Sequence, residues 1–168
     1  MLIRSDTGRK IVVIADDLTG ANDTGVQFAK QGLKTLVLMR VEGPFADLEE
    51  DVLVIDTQSR AMQPEDAYRA VQAAALLFRD RDAFEAVYKK IDSTLRGNLG
   101  TEIDAVMDAC GLELAVVAPA FPQNGRTTVG GIHFMAGIPL EATEIGRDPV
   151  CPVNESHIPT LLSLQSRR

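Results

Sequence analysis

The most restrictive feature of the sequence is the alternation of short apolar runs with longer stretches of helical character. The runs are nearly continuous and rich in β-branched residues, which is typical of parallel strands buried on both faces. Five strands are predicted: Ile11–Ala15, Thr35–Met39, Val52–Ile55, a weaker Val87–Ile91, and Leu114–Ala118. The helices predicted between them are Ala21–Gln31, Pro64–Phe78 and Leu99–Cys110. Such alternation predicts an α/β fold, a doubly wound and mainly parallel sheet with flanking helices of the Rossmann-like class.

The last third of the chain departs from this alternation. After residue 119 the sequence is rich in glycine and proline, which predicts loops with a hairpin around Gly131–Met135. Ser156 and Pro159 then indicate the start of a short final helix. The length of 168 residues fits a single domain, so residues 1–168 are expected to form one unit.

Composition and charge exclude several classes of protein. A net charge of −7 and a pI near 4.8 argue against nucleic acids and anionic membranes as partners. No apolar run approaches the ~18 residues of a membrane-spanning helix, and the N-terminus lacks the apolar core of a signal peptide. The expected location is therefore cytoplasmic. Cys110 and Cys151 have no metal-binding spacing and are expected to be reduced there.

The polar residues most able to do chemistry follow the predicted strands. Asp16 and Asp17 follow the first strand, DTQSR (56–60) follows the third, and DSTLRGN (92–98) follows the fourth. Open parallel sheets bind ligands at the carboxyl ends of their strands. Carboxylates there accept hydrogen bonds from hydroxyl groups, and cations hold anionic groups, which together favour a hydroxylated acid as ligand. The available cations are Arg60, Lys90 and Arg96.

Structural roles compete with functional ones at most of these positions. Two adjacent carboxylates repel each other unless a cation or metal lies nearby, which favours a functional role for Asp16 or Asp17. Lys89 is interpreted as a solvated charge, and His133 as structural or interfacial rather than catalytic. Capping of a helix or turn is an equally good interpretation of several polar residues: Thr19, Asn22, Asp56, Ser93 and Asn98.

Four segments, taken in order, resemble the four-carbon acid sugar kinase family. They are IADDLTGANDTG (14–25), DTQSR (56–60), KKIDSTLRGN (89–98) and APAFPQNGRTTVGGIHFMAGIPLEATEIGRDP (118–149). Members of this family use ATP to phosphorylate D-threonate, D-erythronate or 3-oxo-tetronate. They join an N-terminal acid-sugar-binding domain to a C-terminal nucleotide-binding domain. The resemblance runs from about Lys10 to about Leu162 and implies that this chain is the first domain alone.

The resemblance also implies which residues bind the substrate. They are Asp17, Arg60 and the Lys-x-Asp-Ser segment, which is Lys90, Ile91, Asp92 and Ser93. Asp17 is in addition the candidate catalytic residue, either as a base or as a group that orients the substrate. Neighbours expected from their positions are Asp16, Arg96, Asn98 and Arg126. No metal site is expected within the chain.

Cofactors and partners follow from the same resemblance. ATP and Mg²⁺ are expected for the full-length enzyme but not for this chain alone, because it has no GxxxxGK[ST] motif and Gly97–Gly100 is too short for a phosphate-binding loop. The expected partners are a small-molecule sugar acid and the missing nucleotide-binding domain, and a homo-oligomer is left open.

Two rival functions compete with this one. A stand-alone hydroxy-acid-binding module without catalysis is the main alternative. A phosphatase of the haloacid dehalogenase type is disfavoured, because it needs D-x-D-x-[TV] and this chain has Asp16-Asp17-Leu18-Thr19.

Overall fold

The computed structural model describes residues 10–39, 48–78 and 84–168. Within these ranges the strands are β1 (Lys10–Ala15), β2 (Thr35–Leu38), β3 (Val52–Asp56), β4 (Phe84–Lys90), β5 (Arg126–Val129), β6 (Ile132–Met135) and β7 (Ile138–Pro139). The α-helices are α1 (Leu18–Lys30), α2 (Pro64–Leu76), α3 (Leu99–Cys110) and α4 (Ile158–Gln165). Short 3₁₀ helices cover Pro122–Asn124, Leu140–Ala142 and Glu144–Arg147. None of the helices in the described ranges is long and apolar enough to span a membrane.

The first four strands form one parallel sheet in the order β2-β3-β1-β4. The central strands β1 and β3 are almost entirely buried, since helices lie on both faces of the sheet. Val13 and Val54 pack with α1 on one face, whereas Ile14 and Ile55 pack with α2 and α3 on the other. The predicted α/β fold with a parallel sheet is therefore confirmed.

The glycine- and proline-rich region forms a second, antiparallel sheet in the order β5-β6-β7. Its predicted hairpin turns at Gly130 and Gly131, where φ is 57° and 83°, values that glycine adopts without strain. The predicted final helix is α4, and the Gly131 carbonyl accepts a hydrogen bond from Ile158 N–H at its start. A buried cluster, which includes Leu99 and Leu140, joins this region to α3.

Caps account for the start of α1 and the end of α3. α1 begins at Leu18, earlier than predicted, because the Asp17 side chain caps it. Thr19 and Asn22 lie inside this helix, so their interpretation as caps is wrong. α3 has the predicted bounds, and Gly111 closes it with a left-handed φ of 59°.

The predicted strand Leu114–Ala118 is wrong, because this segment pairs with no strand in the described structure. Leu114 and Val116 are 79% and 88% exposed. The run has the composition of a buried strand, but a strand forms only where a neighbour completes the hydrogen-bond ladder. Instead, the segment lines a groove of about 430 Å³ together with Tyr88 of β4 and Met107 of α3.

Candidate functional site

The carboxyl ends of β1, β3 and β4 lie side by side at one edge of the parallel sheet. Two backbone hydrogen bonds tie the exit of β3 to the end of β1. Thr57 N–H donates to the Ala15 carbonyl at 3.0 Å, and Arg60 N–H donates to the Asp16 carbonyl at 3.2 Å. The structure thus brings the two aspartates and the DTQSR segment together, although Arg60 is 44 positions from Asp16 along the chain.

Arg60 holds both aspartates at the centre of this edge. Its Nε donates to Asp16 Oδ2 at 2.7 Å and its Nη2 donates to Asp16 Oδ1 at 3.1 Å. Its Nη1 donates to Asp17 Oδ2 at 2.6 Å. The side chains of Arg60 and Asp16 are only 17% and 5% exposed. One shielded guanidinium therefore compensates the like charges of the pair.

Asp17 also caps helix α1. Its Oδ1 accepts a hydrogen bond from Gly20 N–H at 2.8 Å. A Cβ on Gly20 would lie 2.7 Å from this oxygen and 3.3 Å from Lys90 Nζ. The absence of a side chain at Gly20 therefore lets the first turn of α1 approach the Asp17 carboxylate and the Lys90 ammonium group closely. Lys90 Nζ donates to the Ile91 carbonyl at 2.6 Å, which places a cation beside the first turn of α1.

A second cluster of charges follows β4. Asp92 Oδ2 accepts hydrogen bonds from Arg96 Nε and Thr94 Oγ1, each at 2.6 Å. Arg96 Nη1 also reaches Asp148 Oδ2 at 3.4 Å. Asp148 belongs to the glycine- and proline-rich region, 52 positions from Arg96. Sequence reasoning missed it because nothing local marks its contact with this arginine.

The electrostatics of the site favour the charged forms of Asp92 and Arg60. Burial raises the pKa of Asp92, but hydrogen bonds from Arg96 and Thr94 and the charges of Arg60 and Arg96 outweigh it, so this pKa lies below its usual value. Burial lowers the pKa of Arg60, but the hydrogen bond and charge of Asp16 and the charge of Asp92 outweigh it, so this pKa lies above its usual value. The charge of Asp92 acts on Arg60, so the two clusters form one electrostatic unit.

The remaining predicted site residues lie in different surroundings. Ile91 packs against the buried cluster that joins the second sheet to α3. Ser93 lies in the loop before α3 and does not cap that helix, which begins only at residue 99. Asn98 precedes α3 without a capping hydrogen bond, and its amide donates to the Met62 carbonyl at 3.0 Å. Arg126 begins β5 in the second sheet, and its buried Nε has no hydrogen-bond partner among the described residues.

The interpretation of Lys89 as a solvated charge is wrong. Its side chain is only 7% exposed and its Nζ lies 2.7 Å from Glu102 Oε2 of α3. The same ammonium donates to the Lys90 carbonyl at 2.8 Å. In the described part of the chain, the second oxygen of Glu102 is buried without a partner. This ion pair holds the end of β4 against α3, directly before the Asp92 cluster.

Asp56 caps the turn that follows β3, as one of its two interpretations predicted. Its Oδ1 accepts a hydrogen bond from Gln58 N–H at 3.0 Å. Gln58 has a left-handed φ of 52°, which this cap helps to hold. The buried Oδ2 of Asp56 finds no hydrogen-bond partner among the residues described.

Two features of the described residues bear on whether a nucleotide with its magnesium ion could bind among them. They contain no group of three or more His, Cys, Asp or Glu side chains able to hold a metal. Gly97–Gly100 forms no open phosphate loop, because a Cβ on Gly100 would lie 2.8 Å from Gln165 Cβ of α4. The Gly100 N–H, which a phosphate would need, already donates to Gln165 Oε1 at 3.0 Å.

The sequence is similar to those of several kinases. It is 47% identical over 157 residues to a D-threonate kinase from Salmonella typhimurium, covering 94% of this chain and 37% of that protein. It is 47% identical over 163 residues to a D-erythronate kinase from Heliobacterium modesticaldum, covering 94% and 36%. It is 35% identical over 162 residues to a 3-oxo-tetronate kinase from Brucella melitensis, covering 94% and 37%. The chain thus spans little more than a third of the length of these relatives.

Solved structures share its fold. A domain of unknown function from Bordetella bronchiseptica, a domain-swapped dimer with bound citrate, is 42% identical with a TM-score of 0.83, and the match covers 91% of this chain and 39% of that one. A putative tRNA synthase from Salmonella typhimurium is 31% identical with a TM-score of 0.84, covering 94% and 39%. The family model of the sugar-binding N-terminal domain matches residues 11–168, which include every site residue described above. The resemblance seen in the four motifs is therefore confirmed, and the chain belongs to the family of sugar-binding N-terminal domains.

Proposed function

We propose that this chain is the acid-sugar-binding part of an ATP-dependent kinase that phosphorylates a hydroxyl group of D-threonate, D-erythronate or 3-oxo-tetronate. The observation that carries the proposal is the cluster of Arg60, Asp16 and Asp17 beside Lys90 at the carboxyl edge of the sheet. The family adds support, since relatives at 31–47% identity are kinases of these three compounds.

The charges of the cluster suit a small hydroxylated acid. Arg60 uses three of its five N–H groups on the aspartates, and Lys90 uses one of three on the Ile91 carbonyl. The remaining donors of these two cations would bind the carboxylate of the sugar acid. Asp17 and Asp92 would accept hydrogen bonds from its hydroxyl groups. The site thus offers both kinds of partner that a four-carbon acid sugar needs.

Asp17 is the proposed catalytic residue. Its side chain is 27% exposed, whereas that of Asp16 is 5% exposed, so Asp17 is the more accessible carboxylate of the pair. It would accept a hydrogen bond from the acceptor hydroxyl and either orient that hydroxyl or take its proton. Phosphoryl transfer depends mainly on positioning and charge compensation, so an orienting role is sufficient for catalysis.

The nucleotide and Mg²⁺ are proposed to bind outside these residues. The supporting observation is that Gly97–Gly100 does not suit a phosphate group, because α4 lies against Gly100 and its N–H already donates to Gln165. A nucleotide-binding domain, which the length of the relatives leaves room for, would bring the phosphate donor to the acceptor hydroxyl. A cytoplasmic location, where ATP is available, suits this function.

The proposed ligand and assembly also draw on the Bordetella bronchiseptica relative. That protein binds citrate, which is itself a hydroxy acid, and forms a domain-swapped dimer. By analogy we propose that this chain forms a homodimer. Light scattering should then give twice the monomer mass of 18.2 kDa, and a purely monomeric chain would exclude this assembly.

Calorimetry with D-threonate, D-erythronate and 3-oxo-tetronate tests the proposed site. Lys90→Ala should weaken binding of the preferred acid by about 1.5–3 kcal/mol, because it removes a charge-assisted hydrogen bond. Lys34→Ala is the matched control, since Lys34 is 67% exposed and lies before β2, away from the site. Binding of none of the three acids, or equal losses in the two variants, would overturn the proposal.

A kinase assay separates the proposal from a stand-alone binding module. The chain alone should bind the acid but consume no ATP, because the proposed donor site is elsewhere. Addition of the C-terminal part of a related kinase, fused after residue 168, should restore turnover in the usual kinase range of about 1–100 s⁻¹. Binding without turnover in that fusion would favour the module, and turnover by the chain alone would place the donor site within it.

A further inference from the structure

A buried histidine of the second sheet reaches the proposed sugar site. His133 lies in β6 and is 0% exposed. Its Nε2 lies 2.9 Å from the backbone carbonyl oxygen of Ser93, and its Nδ1 lies 2.8 Å from Thr128 Oγ1 of β5. The ring thus bridges the hairpin and the β4–α3 loop (residues 91–98), 40 positions earlier in the chain.

The partners of the ring determine its tautomer. A carbonyl oxygen can only accept, so Nε2 carries the proton and donates it to Ser93. In the neutral form of the ring Nδ1 is then an acceptor, and the Thr128 hydroxyl donates to it. The backbone N–H of His133 donates to the Ser156 carbonyl at 2.8 Å, which fixes the strand that carries the ring. Both ring nitrogens are therefore satisfied in a single orientation.

The β4–α3 loop needs such an anchor. Leu95 has a left-handed φ of 60° and Gly97 a φ of 95°. A left-handed φ at a residue other than glycine persists only where surrounding contacts hold it. His133 supplies one such contact from outside the loop, at the peptide that joins Ser93 to Thr94.

We propose that His133 is a positioning residue for the sugar site. By holding the Ser93 carbonyl it fixes the direction of the peptide after Asp92 and Ser93, two of the proposed substrate-binding residues. The proposal rests on the proposed function for its effect on ligand binding, but the anchoring itself does not depend on any ligand. The competing view is that His133 merely fills the space beneath the hairpin.

Two amide variants separate these views. His133→Gln keeps an N–H donor near the position of Nε2, whereas His133→Asn reaches only as far as Nδ1 and loses the bond to Ser93. Thr128→Val is the matched control, since it weakens the hairpin and leaves Nε2 on the Ser93 carbonyl. Amide hydrogen–deuterium exchange of residues 91–98 measures, without a ligand, how firmly the β4–α3 loop is held. Exchange of the amides of β1 and β3 serves as the internal reference.

His133→Asn should speed exchange in the loop about three- to tenfold, the worth of one neutral hydrogen bond, while exchange in β1 and β3 stays unchanged. His133→Gln and Thr128→Val should leave the loop within about twofold of the wild type. Equal loop exchange in the two His133 variants, or a rise with Thr128→Val as large as with His133→Asn, would overturn the proposal.

Calorimetry with D-threonate, D-erythronate and 3-oxo-tetronate then tests the consequence for the site. His133→Asn should weaken binding of the preferred acid about three- to tenfold, and His133→Gln should weaken it much less. The comparison holds when the variants and the wild type have the same midpoint of thermal unfolding. Normal binding by His133→Asn would exclude the positioning role. If the wild type binds none of these acids, the proposed function fails, and loop exchange alone decides whether His133 anchors the loop.

Discussion

Removal of the Arg60 guanidinium should destabilise this protein more than removal of an exposed charged side chain does. Arg60→Ala deletes three charge-assisted hydrogen bonds to two carboxylates. It leaves Asp16, whose side chain is 5% exposed, as an uncompensated buried charge. Removal of one partner of a buried ion pair costs about 3–5 kcal/mol. Asp17 is 27% exposed and can turn toward water, so we expect a total loss of about 3–5 kcal/mol in the free energy of unfolding.

Two further variants show whether the uncompensated charge is the cause. Addition of Asp16→Asn to Arg60→Ala removes that charge and should recover part of the loss, so the two changes should be non-additive. Arg69→Ala is the matched control, because Arg69 pairs with Asp66 on the surface of α2 and is 70% exposed. Surface pairs of this kind contribute about 0–1 kcal/mol.

Urea denaturation at pH 7, followed by circular dichroism, measures these differences. The midpoint should fall sharply for Arg60→Ala, partly recover in the double variant and stay near that of the wild type for Arg69→Ala. A loss below about 1 kcal/mol for Arg60→Ala, or simple addition of the two changes, would show that Asp16 is solvated and that Arg60 does not hold the aspartates together.

Three other predictions follow from the site. Asp17→Ala should lower the free energy of unfolding by about 1 kcal/mol more than Asp17→Asn, because asparagine keeps an oxygen for the Gly20 N–H; equal thermal midpoints would exclude the capping role. Lys89→Ala should lower the free energy of unfolding by about 3–5 kcal/mol in urea denaturation, because Glu102 is left buried and charged. Lys89→Met combined with Glu102→Gln should recover much of this loss, and a wild-type midpoint for Lys89→Ala would contradict the buried pair. Folding lowers the pKa of Asp92, so the ionised side chain stabilises the folded protein. This contribution is present at pH values above the unfolded pKa of about 4 and is lost as pH falls through the folded pKa. Asp92→Asn should therefore flatten the acid side of the curve of stability against pH, and an unchanged curve would argue against this linkage.

Several parts of the fold could be predicted because their signals are local. The continuous β-branched runs of β1 and β3 are buried on both faces, and α3 ends where glycine supplies a left-handed φ. The order of four motifs was enough to indicate the family, since each motif is a short contiguous segment. The start of α1 was placed too late, because the capping carboxylate of Asp17 could equally have been a free ligand group.

The candidate site was harder to predict because its contacts join distant segments. The sequence placed polar residues after β1, β3 and β4, and parallel pairing of those strands brings them to one edge. That Arg60 bonds to both aspartates, rather than pointing into an open pocket, depends on the side-chain geometry at that edge. Asp148 and His133 reach the same site from a separate sheet, and no local pattern marks either contact.

The sequence by itself thus determined the class of fold, the principal helices and the family, because the hydrophobic period, the glycine that ends α3 and the motifs are properties of neighbouring positions. Only the tertiary structure decided which charges are buried and what each one bonds to. Lys89 and Lys90 are adjacent in β4, but one pairs with a buried glutamate and the other stands beside α1, because successive side chains of a strand point to opposite faces. Leu114–Ala118 has the composition of a buried strand and remains largely exposed, because a strand depends on a neighbour that its own residues do not specify.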